Sequence, residues 1–227
     1  MIDLIQRILK VFSDNRLWDE GIELIGSWCF MLYQKHCGIR SFPFKTLDID
    51  FLIPIPYKSK HKVDLAGLLE PLGFRTSFNA DGSIFLWSPE LRIDFLIPEK
   101  GSGTAHPKEI KNLGIKATSL RFLDILLKDP IEVEESGIKI KIPDPIAFAM
   151  HKILIAERRK DQTKKNKDIE QALYVFEAIP EQKAVDLYLT FPKPWRKTIM
   201  AVLEKALKDF PLHKETIERS LFALQIK

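Results

Sequence analysis

The hexapeptide Ile49-Asp50-Phe51-Leu52-Ile53-Pro54 recurs without a change as Ile93-Asp94-Phe95-Leu96-Ile97-Pro98. Each copy is a run of Ile, Phe and Leu closed by proline, the composition of a buried strand with its stop signal. The segments around the two copies do not match, so the chain is not a tandem repeat. Two neighbouring strands of one sheet, each delivering a carboxylate at the same level, explain the echo. Such a sheet needs a core beneath it. With 45% hydrophobic and 29% charged residues over 227 positions, the chain can build one, and the same balance excludes a disordered polymer.

Elements alternate up to about residue 142. Apolar residues at Ile5, Ile8, Leu9 and Phe12 predict an amphipathic helix over residues 1–12. A strand over 21–25 turns at Gly26-Ser27 into a helix over 28–36, with Ser27 as its N-cap. A strand over 48–53, a helix over 63–72 and a hairpin around Asn79-Ala80-Asp81-Gly82 follow. A strand over 91–97 leads into a loop at Lys100-Gly101-Ser102-Gly103-Thr104, and a second hairpin turns at Ser136-Gly137. Pro143-Asp144-Pro145 marks a joint, Asp144 capping a helix with proline at its first position. Everything beyond it reads as helix. The fold class is therefore α+β: a mixed-sheet domain over 1–142 and an α-helical domain over 143–227.

Charge is uneven. Residues 1–142 hold 19 Lys and Arg against 19 Asp and Glu, whereas 143–227 hold 16 against 12. The densest stretch runs from Arg158 to Lys167, a solvated helix end or a surface for a polyanion. No apolar run approaches the roughly 20 residues that cross a bilayer. The start of the chain mixes charge with apolar side chains, unlike a secretion signal. Cys29 and Cys37, on one helix, would lie about 12 Å apart along its axis, too far to bridge. These features predict a reduced, cytoplasmic protein with no membrane partner.

Asp48 and Asp50 stand at i and i+2, which on a strand puts both carboxylates on one face. Asp94 can join them from the neighbouring strand. Either the pair simply lies on a solvated face, or the three hard oxygen donors hold a divalent cation that relieves their repulsion. Gly26-Ser27, between strand and helix, is an ordinary helix start or a place where backbone N–H groups meet a phosphate. Lys152 and Lys167 read as surface lysines or as contacts to a nucleotide's phosphates or base. His151 reads as a buried structural histidine, and the Trp and Phe residues as mainly core. Cys29, His36 and Cys37 lack the spacing of a zinc site. Gly101-Ser102-Gly103-Thr104 lacks the ending of a P-loop, and no serine carries a hydrolase motif.

Leu24-Ile25-Gly26-Ser27, Leu47-Asp48-Ile49-Asp50-Phe51 and Arg92-Ile93-Asp94-Phe95, in that order, resemble the nucleotidyltransferase superfamily with the DNA polymerase β-like fold. The resemblance implies that Gly26 and Ser27 hold a triphosphate and that Asp48 and Asp50 bind two Mg²⁺. It implies that Asp94 ligates one of these ions and helps to activate an attacking hydroxyl. The substrates would be an NTP and an acceptor hydroxyl on RNA, protein or a small molecule. Ile142-Pro143-Asp144-Pro145, Phe148 to Lys152, Arg158-Arg159 and Lys164 to Asp168 look like small bacterial nucleotidyltransferase-like proteins with a helical C-terminal region. They are also similar to abortive-infection toxins, which implies a partner protein in a toxin–antitoxin pair. Ser27 and Asp48 stand 21 positions apart, more than is usual in the superfamily, and the excess reads as a loop around residues 38–44. The competing reading is a module of this fold that binds nucleotide or RNA without turnover. Three converging carboxylates, which a purely structural role does not need, argue against it.

Overall fold

The computed structural model describes residues 2–40, 46–59, 61–99 and 106–225. The Gly101–Thr104 loop lies outside the described residues, as does most of the loop expected around 38–44. The chain forms two compact units: Met1–Leu32 with Pro43–Pro143, and Tyr33–Phe42 with Asp144–Lys227.

The first unit is built on a mixed sheet. Helix α1 (Ile2–Asp14) leads to β1 (Glu23–Ile25), and α2 (Gly26–His36) follows without a break. Next come β2 (Asp48–Leu52), α3 (Leu65–Leu69) with a 3-10 turn (Glu70–Leu72), β3 (Arg75–Phe78), β4 (Ile84–Trp87) and β5 (Arg92–Pro98). The echo is a strand pair: β2 and β5 run parallel, with Ile49 opposite Ile93, Asp50 opposite Asp94 and Phe51 opposite Phe95. The strand order is β1-β2-β5-β4-β3, which leaves β3 at one edge.

Two further strands carry no clear signal in the sequence. β6 (Lys108–Ile110) and β7 (Ile115–Leu120) pair with each other, and β7 adds in parallel to the C-terminal half of β5. One edge of β5 is thus shared, with β4 along Arg92–Asp94 and β7 along Leu96–Pro98. Short, charge-interrupted strands such as Lys108-Glu109-Ile110 are stabilised by their neighbours rather than by their own pattern. The hairpin of β8 (Ile131–Glu135) and β9 (Ile138–Ile142) forms a separate two-stranded sheet. Its two-residue turn has positive φ at both Ser136 and Gly137, the geometry that suits the twist of a hairpin.

Burial alternates along the central strands. Ile49, Phe51, Leu86, Ile93, Phe95 and Ile97 point into the core, where Phe12, Phe51 and Phe95 stack in sequence. The opposite face carries Asp48, Asp50, Phe85, Trp87, Arg92 and Asp94, all exposed or half-buried. That face is where the polar chemistry lies.

The second unit holds α4 (Pro145–Ala156), α5 (Gln162–Ala178), α6 (Glu181–Leu189), α7 (Lys193–Asp209) and α8 (Lys214–Gln225). Asp144 caps α4, accepting from the N–H groups of Ile146 at 2.8 Å and Ala147 at 3.3 Å. Every residue of α4 except Ile155 is buried, which makes it the central helix. No described helix is long and apolar enough to cross a membrane.

Candidate active site

The open face is a lattice of side chains set by register. In one row, Ile25 of β1 lies opposite Asp50, Asp50 opposite Asp94, and Asp94 opposite Phe85. In the next row Asp48 lies opposite Arg92 and Arg92 opposite Trp87. Paired residues of adjacent strands share a face, and so do residues i and i+2 of one strand. Asp48, Asp50 and Asp94 are therefore neighbours, as the echo requires.

Gly26-Ser27 meets the same cluster. The chain enters α2 through Gly26 at φ +71°, and a Cβ there would overlap the Asp50 carboxylate. Only glycine fits both the turn and the contact. Asp50 is thereby set against the first residue of α2, where first-turn N–H groups and the helix dipole favour an anion. The helix starts at Gly26, earlier than a Ser27 cap would put it, and Ser27 is a half-buried residue of its first turn. The long separation from Ser27 to Asp48 thus contains the rest of α2 and does not part the two motifs.

Arg92 completes the group. Its guanidinium donates to both oxygens of Asp94, at 2.6 and 2.7 Å, and to Asn79 Oδ1 at 2.8 Å, while lying 3.7 Å from the centre of the Phe85 ring. The hydrogen bonds to Asp94 raise its proton affinity against the opposing effect of burial, and the charges of Asp94, Asp48 and Asp50 add to the rise. Three carboxylates beside one guanidinium leave two negative charges in excess. Among the described residues no three acidic, His or Cys side chains are arranged to enclose an ion. Mg²⁺ is commonly held by one or two carboxylates and completed by water and substrate phosphate. Asp48 and Asp50 supply oxygen donors of that kind, and Asp94 is tied to Arg92.

A family model described as Nucleotidyltransferase matches residues 3–195. The chain belongs to the nucleotidyltransferase family. It is accordingly a transferase enzyme. No curated protein matches it. Among solved structures, the antibiotic-resistance factor ANT(2'')-Ia in solution is 15% identical, with 93% of this chain and 97% of that one covered and a TM-score of 0.47. ANT(2'')-Ia in complex with adenylyl-2''-tobramycin is 16% identical, over 82% of this chain and 93% of that one, at a TM-score of 0.48. An antigenic nucleotidyltransferase-like protein from Paracoccidioides brasiliensis is 14% identical, over 94% and 93%, at 0.47.

The nucleotidyltransferase also buries charged groups that the strand pattern does not announce. Glu23 of β1 is 1% exposed, its Oε2 has no hydrogen-bond partner, and burial pushes its carboxyl up to about 8 despite the charge of Lys141. It stands on the same face of β1 as Ile25, opposite Leu52. In the helical unit, Lys152 Nζ donates to Asp168 at 2.6 Å and Arg159 Nε donates to its other oxygen at 2.8 Å. Burial would push the Asp168 carboxyl up, but Lys152 and Arg159 together hold it below its usual range. Asp168 thus binds two bases, Lys152 of α4 and Arg159 just beyond it. His151 beside them is pushed down to about 3 by burial first and then by Lys152, so it is neutral. Lys167 is a half-buried residue of α5.

Two features of the open face carry little signal in the sequence. Arg92 was visible as i−2 from Asp94, a spacing that puts both on one face, yet nothing in the sequence says that it grips both oxygens. Trp87 is 45% exposed, not core. It ends an edge-proximal strand in register with Arg92, on the face that the core does not use.

Proposed function

We propose that this nucleotidyltransferase transfers NMP from an NTP to an acceptor hydroxyl at the Asp48–Asp50–Asp94 face. The observation that carries the reading is the parallel register of β2 and β5, with Asp50 opposite Asp94 and Gly26 packed on the Asp50 carboxylate. The triphosphate would lie at the start of α2, where the N–H groups of the first turn and the helix dipole compensate its charge. Asp48 and Asp50 would hold a divalent cation, magnesium in this reading, which supplies Lewis-acid charge to the attacking and leaving oxygens. Asp94, oriented by Arg92, takes the proton of the acceptor hydroxyl. The acceptor oxygen bonds to the α-phosphorus as the bond to pyrophosphate breaks, and pyrophosphate leaves with the bonding pair. The protein's contribution is positioning and charge compensation on a rigid sheet. Lys152 donates to Asp168 and serves as a structural residue.

The test is transfer of label from α-labelled NTPs, each base separately, into RNA, protein and small-molecule fractions of a cell extract with Mg²⁺. Asp50→Ala should abolish transfer with its unfolding midpoint retained, because removing one of several clustered anions relieves repulsion. Transfer by that variant at the wild-type rate would refute the assignment.

A further inference from the structure

The two sides of the carboxylate cluster differ. On the β1 side lies the start of α2, which suits the triphosphate. On the β4 and β3 side the register continues from Asp48 through Arg92 and Trp87 to Arg75, which lies opposite Trp87 on the edge strand β3. All four share the open face. Arg75 is exposed, Trp87 is 45% exposed, and Arg92 lies over the Phe85 ring. The row crosses three strand spacings, roughly 14 Å. Its order is carboxylate, guanidinium, indole, guanidinium.

The geometry points to a single-stranded polynucleotide as the acceptor, its terminal hydroxyl at Asp94 and its last nucleotides lying along Arg92, Trp87 and Arg75. This inference rests on the transfer reading above and names its acceptor class. An exposed indole beside the exposed guanidinium of Arg75 offers a stacking surface to a base and a cation to the adjacent phosphate, the combination that binds single strands. A row ending at the open edge of the sheet lets the rest of the strand leave into solvent. In the transfer step the strand's terminal hydroxyl oxygen gains the α-phosphorus, its proton passes to Asp94, and pyrophosphate departs, so the strand grows by one nucleotide.

The experiment measures binding without chemistry. Fluorescein-labelled 12-nucleotide single strands, one RNA and one DNA, are titrated with the full chain in EDTA and followed by anisotropy, with blunt duplexes of the same length alongside. Single strands should bind more tightly than duplexes, whose paired bases cannot reach the indole. The RNA and DNA arms distinguish which sugar the strand carries. Trp87→Ala should weaken single-strand binding by about tenfold, and Trp87→Phe should restore most of it. Arg75→Gln should reduce the slope of log K against log salt by about 0.7. Phe78→Ala, an exposed aromatic of β3 on the opposite face, should bind as wild type. Wild-type affinity in both Trp87→Ala and Arg75→Gln would overturn the inference, as would duplexes binding as tightly as single strands. So would a loss of NTP affinity in Trp87→Ala with strand binding intact, which would make the indole a site for the nucleotide base. Strand binding that depends on Trp87, without label transfer to any acceptor, would sustain this surface and refute the transfer reading. Label entering protein or small molecules at wild-type rates in the Trp87→Ala enzyme would do the reverse.

Discussion

Replacing Gly26 with alanine separates backbone strain from crowding at the carboxylates, because Gly137 provides a matched control in the same unit. Both glycines have positive φ, +71° and +77°, but a Cβ at Gly137 meets nothing within 4 Å, whereas at Gly26 it overlaps the Asp50 carboxylate. An L-residue in the left-handed region costs about 1–2 kcal/mol. Alanine recovers about 0.4–1 kcal/mol of that by stiffening the unfolded chain. Gly137→Ala should therefore lose about 1 kcal/mol. Gly26→Ala adds an overpacking cost of about 1–3 kcal/mol, for a total of about 2–4 kcal/mol. At about 2–4 °C per kcal/mol for a chain of this size, Tm should fall by roughly 5–15 °C in Gly26→Ala and by a few degrees in Gly137→Ala. Trp18 and Trp28, buried in the same unit, report the transition by fluorescence. Nucleotide transfer should drop about 100-fold in Gly26→Ala, the usual consequence of an ångström's displacement at a reacting centre, and stay intact in Gly137→Ala. Equal stability of the two variants, with wild-type transfer by Gly26→Ala, would refute the packing of α2 against Asp50.

Other outcomes follow from the buried charges. Glu23 keeps its proton in the folded chain up to about 8 but ionises near 4.5 once exposed. Stability should therefore fall as pH rises across that window, by at most about 1.4 kcal/mol per pH unit, and level off above it. Urea midpoints of Glu23→Gln should lack that slope, and parallel pH profiles for the two proteins would contradict the burial. Asp168→Asn leaves Lys152 buried without its counter-charge and should cost about 3–5 kcal/mol. The double variant Lys152→Met with Asp168→Leu should recover part of that loss, and a double variant less stable than Asp168→Asn would count against the argument. Because the Asp168 carboxyl is held low, its contribution is present at neutral pH and disappears in acid as the pH falls through and below the ordinary carboxylate range.

Much of the fold and half of the site can be read from local pattern. The repeated hexapeptide specifies two strands with one carboxylate each at matching positions, because apolar Ile, Phe and Leu at alternating places dictate which face is buried. Pro143-Asp144-Pro145 specifies the start of α4, since a cap and a proline act within a single turn. β6 and β7 are not legible in this way. Their short segments gain strand geometry only from pairing with β5, and no residue of their own announces the partner.

The sequence by itself determined which side chains share a face: period-two alternation puts Asp48 with Asp50, and Arg92 with Asp94, whatever surrounds them. Only the tertiary structure decided what those faces meet. Gly26 comes to lie on Asp50 across the whole of α2, Arg92 spends its guanidinium on Asp94 and Phe85, Lys152 spends its ammonium on Asp168, and Trp87 is left in solvent. Alternation is a property of the backbone and is visible one residue at a time. Register, burial and the choice of ionic partner depend on distances between segments far apart in the chain, which a single line of residues does not contain.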